Sequence, residues 1–123
     1  MAYSDFTEMP VWQKALGLLL NVYEITKNYP MEEKFGLVSD MRRAANSVTN
    51  NLAEGFGRYE KKDKTRFYKI SRGSCFELIN QGLASHSLGY IGVSDKENIA
   101  NGYRKVIDEL DPLNKSLETS TVK

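Results

Sequence analysis

Between Arg42 and Arg72 the sequence places nine lysines and arginines (positions 42, 43, 58, 61, 62, 64, 66, 69 and 72) against three acids (54, 60 and 63), a surplus of six positive charges. The whole chain carries only +1, so the remainder holds a deficit of five. Such asymmetry within a small protein draws a polyanion to one side while leaving the overall pI ordinary. Spacing sharpens the reading. Lys62, Arg66 and Lys69 fall on one helical face, and Lys61, Lys64, Tyr68 and Arg72 fall on an adjoining one. Tyr59 and Tyr68 interleave with these cations, and rings that stack on unpaired bases beside amines that follow phosphates suit RNA or single-stranded DNA. The expected nucleic-acid contacts are therefore Arg58, Lys61, Lys62, Lys64, Arg66, Tyr68, Lys69 and Arg72. The same residues also suit a solvated helix face laced with i,i+4 ion pairs, in which Glu60 and Asp63 neutralise part of the charge.

A second line, Arg43, Ser47, Asn50 and Glu54, recurs at steps of four, three and four. Laid against Arg72, Ser74 and Glu77 of the following helix, it predicts a structural polar seam within the protein. Arg43 is then expected to pair with Glu54 or Glu77, because buried charges persist only when paired and hydrogen-bonded.

Catalytic chemistry lacks parts. His86 is the only histidine, so histidine metal clusters and Ser-His-Asp triads are not available within one chain. Gly55 and Gly57 form no phosphate-binding loop, since no strand precedes them and no GKS or GKT follows. Cys75 reads as a small buried apolar group. The expectation is a protein with no enzymatic activity, no metal and no cofactor.

Four helical segments carry these residues, over about 10–28, 33–55, 61–90 and 95–117, with frayed ends. In the first, Trp12, Ala15, Leu19, Val22 and Tyr23 recur at helical steps, Pro10 suits the opening turn and Pro30 stops the run. Leu18, Leu20 and Ile25 lie off that stripe and imply a second contact. The second places Leu37, Met41, Ala44, Val48 and Leu52 in line, has Glu32 and Glu33 where the helix dipole favours carboxylates, and ends at a reversal around Gly55-Phe56-Gly57. In the third, Gly73, Ser74 and Gly82 allow a neighbouring helix to approach closely. The fourth opens on a Ser94-Asp95-Lys96-Glu97 capping box. Pro112 predicts a kink or an early end near Glu109 to Asp111, because it removes one backbone hydrogen bond and crowds the Asp108 carbonyl; the tail from about Glu118 is expected to fray. With 123 residues, no alternating strand pattern and short connections, the fold class is all-α: one domain, an antiparallel up-down-up-down four-helix bundle. The N-terminus lacks a signal-peptide pattern, no apolar run reaches membrane-spanning length, and the single cysteine suits a reducing compartment, so a cytoplasmic location is expected.

The blocks VWQKA (11–15), FGL (35–37), RRAANSVTNNLAEGFGR (42–58), RGSCFEL (72–78) and LGYI (88–91) resemble the bacterial ribosomal RNA intervening-sequence proteins, whose relatives include the accessory variability determinants of diversity-generating retroelements. The resemblance spans about residues 6–118. It implies a four-helix bundle that assembles as a homopentamer and has a nucleic-acid-binding role. The family blocks cover Arg42, Arg43, Ser47, Asn51, Glu54, Gly55, Gly57, Arg58, Arg72, Gly73, Ser74 and Glu77. Ser71 departs from the family's usual alanine, and Pro112 falls where a continuous helix is expected. A competing expectation is an interaction scaffold that docks on a reverse transcriptase or another protein through the acidic surface of Asp108, Glu109 and Asp111.

Overall fold

The structure, a computed structural model, describes residues 3–121. A 3-10 turn, Phe6–Glu8, leads into α1 (Pro10–Thr26); a second 3-10 turn, Met31–Glu33, precedes α2 (Leu37–Phe56); α3 (Lys61–Ser87) and α4 (Val93–Thr121) follow. Helix α1 packs on α2 and α4, and α3 packs on the same two, closing a ring. Short connections between consecutive neighbours make this an antiparallel up-down-up-down four-helix bundle. Among the described residues there is no strand, and no helix is long and apolar enough to cross a membrane.

The core follows the helical stripes. Val22 from α1, Met41, Val48 and Leu52 from α2, Leu78 from α3, and Ile99, Tyr103, Val106 and Leu110 from α4 are fully buried along the axis. Small residues set the closest approaches. A Cβ on Gly82 would lie 3.1 Å from Ile99 Cγ2, and one on Gly55 would lie 2.6 Å from the Tyr68 ring. Gly55 thus serves the α2–α3 contact more than the reversal. Gly73 does not act as expected: nothing stands within 4 Å of where its Cβ would be. Ser71, the departure from alanine, is fully buried and satisfied, its hydroxyl donating to the Val48 carbonyl at 2.9 Å. On α1, Leu18 meets α4 at Gly102 and Ile25 packs on the core, which leaves Leu20, 60% exposed, as the residue off the buried stripe.

Several expected boundaries move, and α1 ends at Thr26 instead of about residue 28. Helix α2 starts at Leu37, after a separate turn that places Glu33 to accept from the Leu37 N–H at 3.1 Å; the Tyr90 hydroxyl donates to the other oxygen of the same carboxylate at 2.9 Å. Helix α3 stops at Ser87 because Gly89 turns left-handed (φ 84°) and the Tyr90 N–H reaches back to the Ser85 carbonyl at 2.9 Å, a six-to-one closure. The Ser94 capping box does not form. The Gly92 carbonyl already accepts from Lys96 N–H at 3.1 Å, so the helix begins at Val93 and Ser94 lies inside it.

Pro112 does not end α4, which runs through it to Thr121, past the expected fraying at Glu118. Asp108 and Pro112 both face solvent, so water can serve the carbonyl that loses its helical donor.

Candidate nucleic-acid interface

The α2–α3 turn delivers the cationic stretch to one end of the bundle, where it divides into groups with different surroundings. Lys61, Lys62, Arg66 and Lys69 come together along a groove between the first half of α3 and the end of α4, facing Asp63 and Glu118. Four cations against two carboxylates leave this groove net positive. Lys61 and Lys62 are exposed and form no ion pair among the described residues. Arg66 approaches Asp63 at 3.8 Å and lies over the Phe67 ring, 4.4 Å from its centroid. Lys69 pairs with Glu118, both side chains remaining about half exposed (55% and 51%).

The other expected contacts lie elsewhere. Arg58 lies outside this groove, paired with Glu54 at 2.7 Å and stacked 4.7 Å from the centroid of the same Phe67 ring, beside a depression that holds Glu60 and shares Asp63 with the groove. Arg72 is held by Asp111 of α4, with Nε 2.6 Å from the carboxylate, and that bond raises its pKa. Lys64 donates to the Phe56 carbonyl at 2.8 Å and the Gly55 carbonyl at 3.3 Å, closing the last turn of α2 as a cation at a helix C-terminus does; desolvation pulls its pKa down. Tyr68 cannot offer its ring to a base, because it is 3% exposed against Gly55 and burial pushes its hydroxyl up to about 12. Tyr59, by contrast, is 97% exposed.

The polar seam exists but lies at the surface of the α2–α3 junction, not inside the bundle. Arg43 pairs with Glu77, their side chains 58% and 38% exposed. Ser74, which is buried, donates to the Ser47 hydroxyl at 2.8 Å, and Asn51 donates to the same oxygen at 3.1 Å. Asn50 is exposed and Glu54 is engaged by Arg58, so neither joins the seam. These contacts need no buried charge, which removes the reason for expecting an interior pair.

Sequence reasoning missed the partners supplied by α4, Asp111 and Glu118. Their signal was antiparallel register: stepping back along α3 from Arg72 to Lys69 moves the facing position forward along α4 from Asp111 to Glu118. Arg42, counted in the positive surplus, also has partners within the bundle. Its Nε donates to Thr26 Oγ1 at 3.0 Å, its guanidinium lies 4.6 Å from the Tyr23 centroid and reaches the Tyr23 carbonyl at 3.4 Å, so it ties α2 to the last turn of α1. Cys75 is fully buried, and burial lifts its thiol to about 12, far from a reactive thiolate. Among the described residues no three His, Cys, Asp or Glu side chains converge as metal ligands do.

Fold and site together define a small all-α bundle with a net-positive groove at the α2–α3 end. The chain belongs to the 23S rRNA-intervening sequence protein family, whose model matches residues 7–111. It is similar to the crystal structure of a protein of unknown function from the S23 ribosomal protein family of Bacteroides thetaiotaomicron, with a TM-score of 0.77 and 18% identity, covering 85% of this chain and 98% of that one. At that identity the likeness concerns the fold. A search of curated proteins gives no match.

Proposed function

We propose that the protein is a non-enzymatic, cytoplasmic nucleic-acid-binding protein whose phosphate seat is the groove of Lys61, Lys62, Arg66 and Lys69. The observation that carries this reading is the convergence of four cations on one open groove that holds two carboxylates. Arg58 and Arg72 lie outside this groove, in half-exposed pairs of their own, and Lys64 is bonded to the end of α2, so the seat is narrower than the charge count suggests. The remaining pairs are exposed, and such pairs are worth up to about 1 kcal/mol each and are screened by salt. A phosphate can therefore replace Asp63 or Glu118. Tyr59, exposed at the adjacent turn, is the ring available for stacking on an unpaired base.

Assembly into a homo-oligomer, a pentamer by the family resemblance, belongs to the same proposal. It is supported by apolar side chains that one subunit leaves in water, Leu20 at 60%, Phe76 at 41% and Leu83 at 46%, and by Gly17 and Gly73, helical glycines with no neighbour within 4 Å to explain them. Repetition of the groove would multiply a weak attraction. A second reading, a scaffold that docks on a protein such as a reverse transcriptase, draws on the exposed Phe76 and Leu83, which share one α3 face at a seven-residue step. The acidic surface expected to serve it is partly spent, since Asp111 holds Arg72 and Glu109 holds Lys14.

Polarisation titrations with labelled single-stranded RNA and DNA test the groove. Wild-type affinity is expected to fall with roughly a 0.7 to 0.9 power of salt for each phosphate neutralised, and Lys62→Glu with Arg66→Glu to weaken binding by more than about tenfold at low salt. Absence of binding to both ligands, or an unchanged affinity in the double variant, sinks the reading. Light scattering measures the assembly.

A further inference from the structure

Next to the groove lies a cavity of about 490 Å³ that shares Lys61 and Leu117 with it and is otherwise walled by different residues. Its size falls in the roughly 300–1,000 Å³ range of small-molecule sites. The walls are Met9 and Val11 from the start of α1, Phe56 from the end of α2, Tyr68 from α3, and Leu113 and Leu117 from α4. Met9 and Val11 are 4% and 5% exposed, so the space is floored by core side chains. Water gains little against such hydrocarbon, and an apolar body gains by replacing it.

The polar groups at the rim are unequal in charge. Lys64 is bonded only to backbone carbonyls, at 2.8 and 3.3 Å, and meets no carboxylate among the described residues. Its partial burial disfavours the charged form, as expected for a cation short of counter-charge. Lys61 also reaches the cavity and forms no ion pair among the described residues. The one carboxylate on the wall, Glu109, is already engaged by Lys14. Two amines with no ion-pair partner among the described residues thus border an apolar chamber.

We propose that this cavity binds a small amphipathic monoanion, with a hydrocarbon body against Met9, Val11, Phe56 and Leu113 and a carboxylate head between Lys61 and Lys64. The head supplies the missing counter-charge through charge-assisted hydrogen bonds; a neutral analogue of the same length supplies none. Leu113 and Leu117 lie beyond residue 111, where the family match ends, so part of this site stands outside the region shared with the family. The proposal does not rest on nucleic-acid binding.

Calorimetric titration of the full chain with octanoate and with 1-octanol, combined with carbon-13 methyl NMR of Met9, tests it. Saturable octanoate binding is expected, tighter than 1-octanol by about tenfold, together with a shift of the Met9 methyl signal. Lys61→Met, at an exposed position, is expected to remove most of that preference while leaving 1-octanol affinity unchanged. No saturable octanoate binding, equal affinity for acid and alcohol in the wild type, an unmoved Met9 methyl at saturation, or a preference that survives Lys61→Met would each overturn the proposal.

Discussion

The two ends of the bundle are built differently. At the end where α2 begins and α3 stops, polar groups tie elements together: Glu33 bridges the Leu37 N–H and the Tyr90 hydroxyl, Arg42 binds Thr26 and stacks on Tyr23, and Asn46 donates to the Tyr23 hydroxyl at 2.9 Å. At the α2–α3 turn, helices are joined across the surface by half-exposed ion pairs such as Lys69 with Glu118, and a groove and a cavity stay open between them. Directional bonds to partly buried groups are costly to lose, whereas exposed ion pairs exchange at little cost. The first end is therefore suited to holding the fold and the second to exchanging partners.

Four experiments break or sharpen this contrast. The largest effect is expected within the open end itself, where Tyr68→Ala should lower stability in urea by about 3–5 kcal/mol as a large buried side chain is lost. Tyr59→Ala, nearby but exposed, should stay within about 0.5 kcal/mol; similar losses at the two tyrosines would erase the difference between packed and free rings. At the tied end, Arg42→Ala should cost about 1–2 kcal/mol by stranding its acceptors, with RNA affinity unchanged. High pH offers a third comparison. Tyr68 titrates near 10 when unfolded and about 12 when folded, so from pH 10 upward the unfolded chain releases a proton that the folded chain keeps. Its contribution is complete below pH 10 and is lost as pH rises toward 12; Tyr68→Phe should reduce that loss in urea titrations at successive pH values. The smallest effect is expected from Glu118→Gln, which frees Lys69 and should tighten RNA binding by about two- to threefold with stability within about 0.5 kcal/mol; weaker binding would mean that Glu118 does not compete with phosphate.

The helical architecture was legible because burial repeats every three to four residues and prolines and glycines mark the turns. Local rules misled where a surrounding group changed their cost. Asp108, whose carbonyl loses its helical donor to Pro112, faces solvent, and Gly92 had already closed the turn that Ser94 was expected to cap. In the site, the cations could be counted but their partners could not, since Arg72 and Lys69 find theirs 39 and 49 residues away. Sequence distance hides a contact that only helix register creates. Tyr68 was legible in principle: it continues the buried row of Ser71, Cys75 and Leu78 at three- and four-residue steps, a core signature that its cationic neighbours obscured.

The passage of α4 through Pro112 decides more than helix length. Beyond that residue the helix supplies Leu113 and Leu117 to the cavity and Leu117 and Glu118 to the groove, so one short rod borders both. Its attachment to the body of α4 lacks one rung, the bond that the Asp108 carbonyl would otherwise accept. The segment after Pro112 is thus a side common to both openings, and a chain cut after Asp111 would leave each of them short of it.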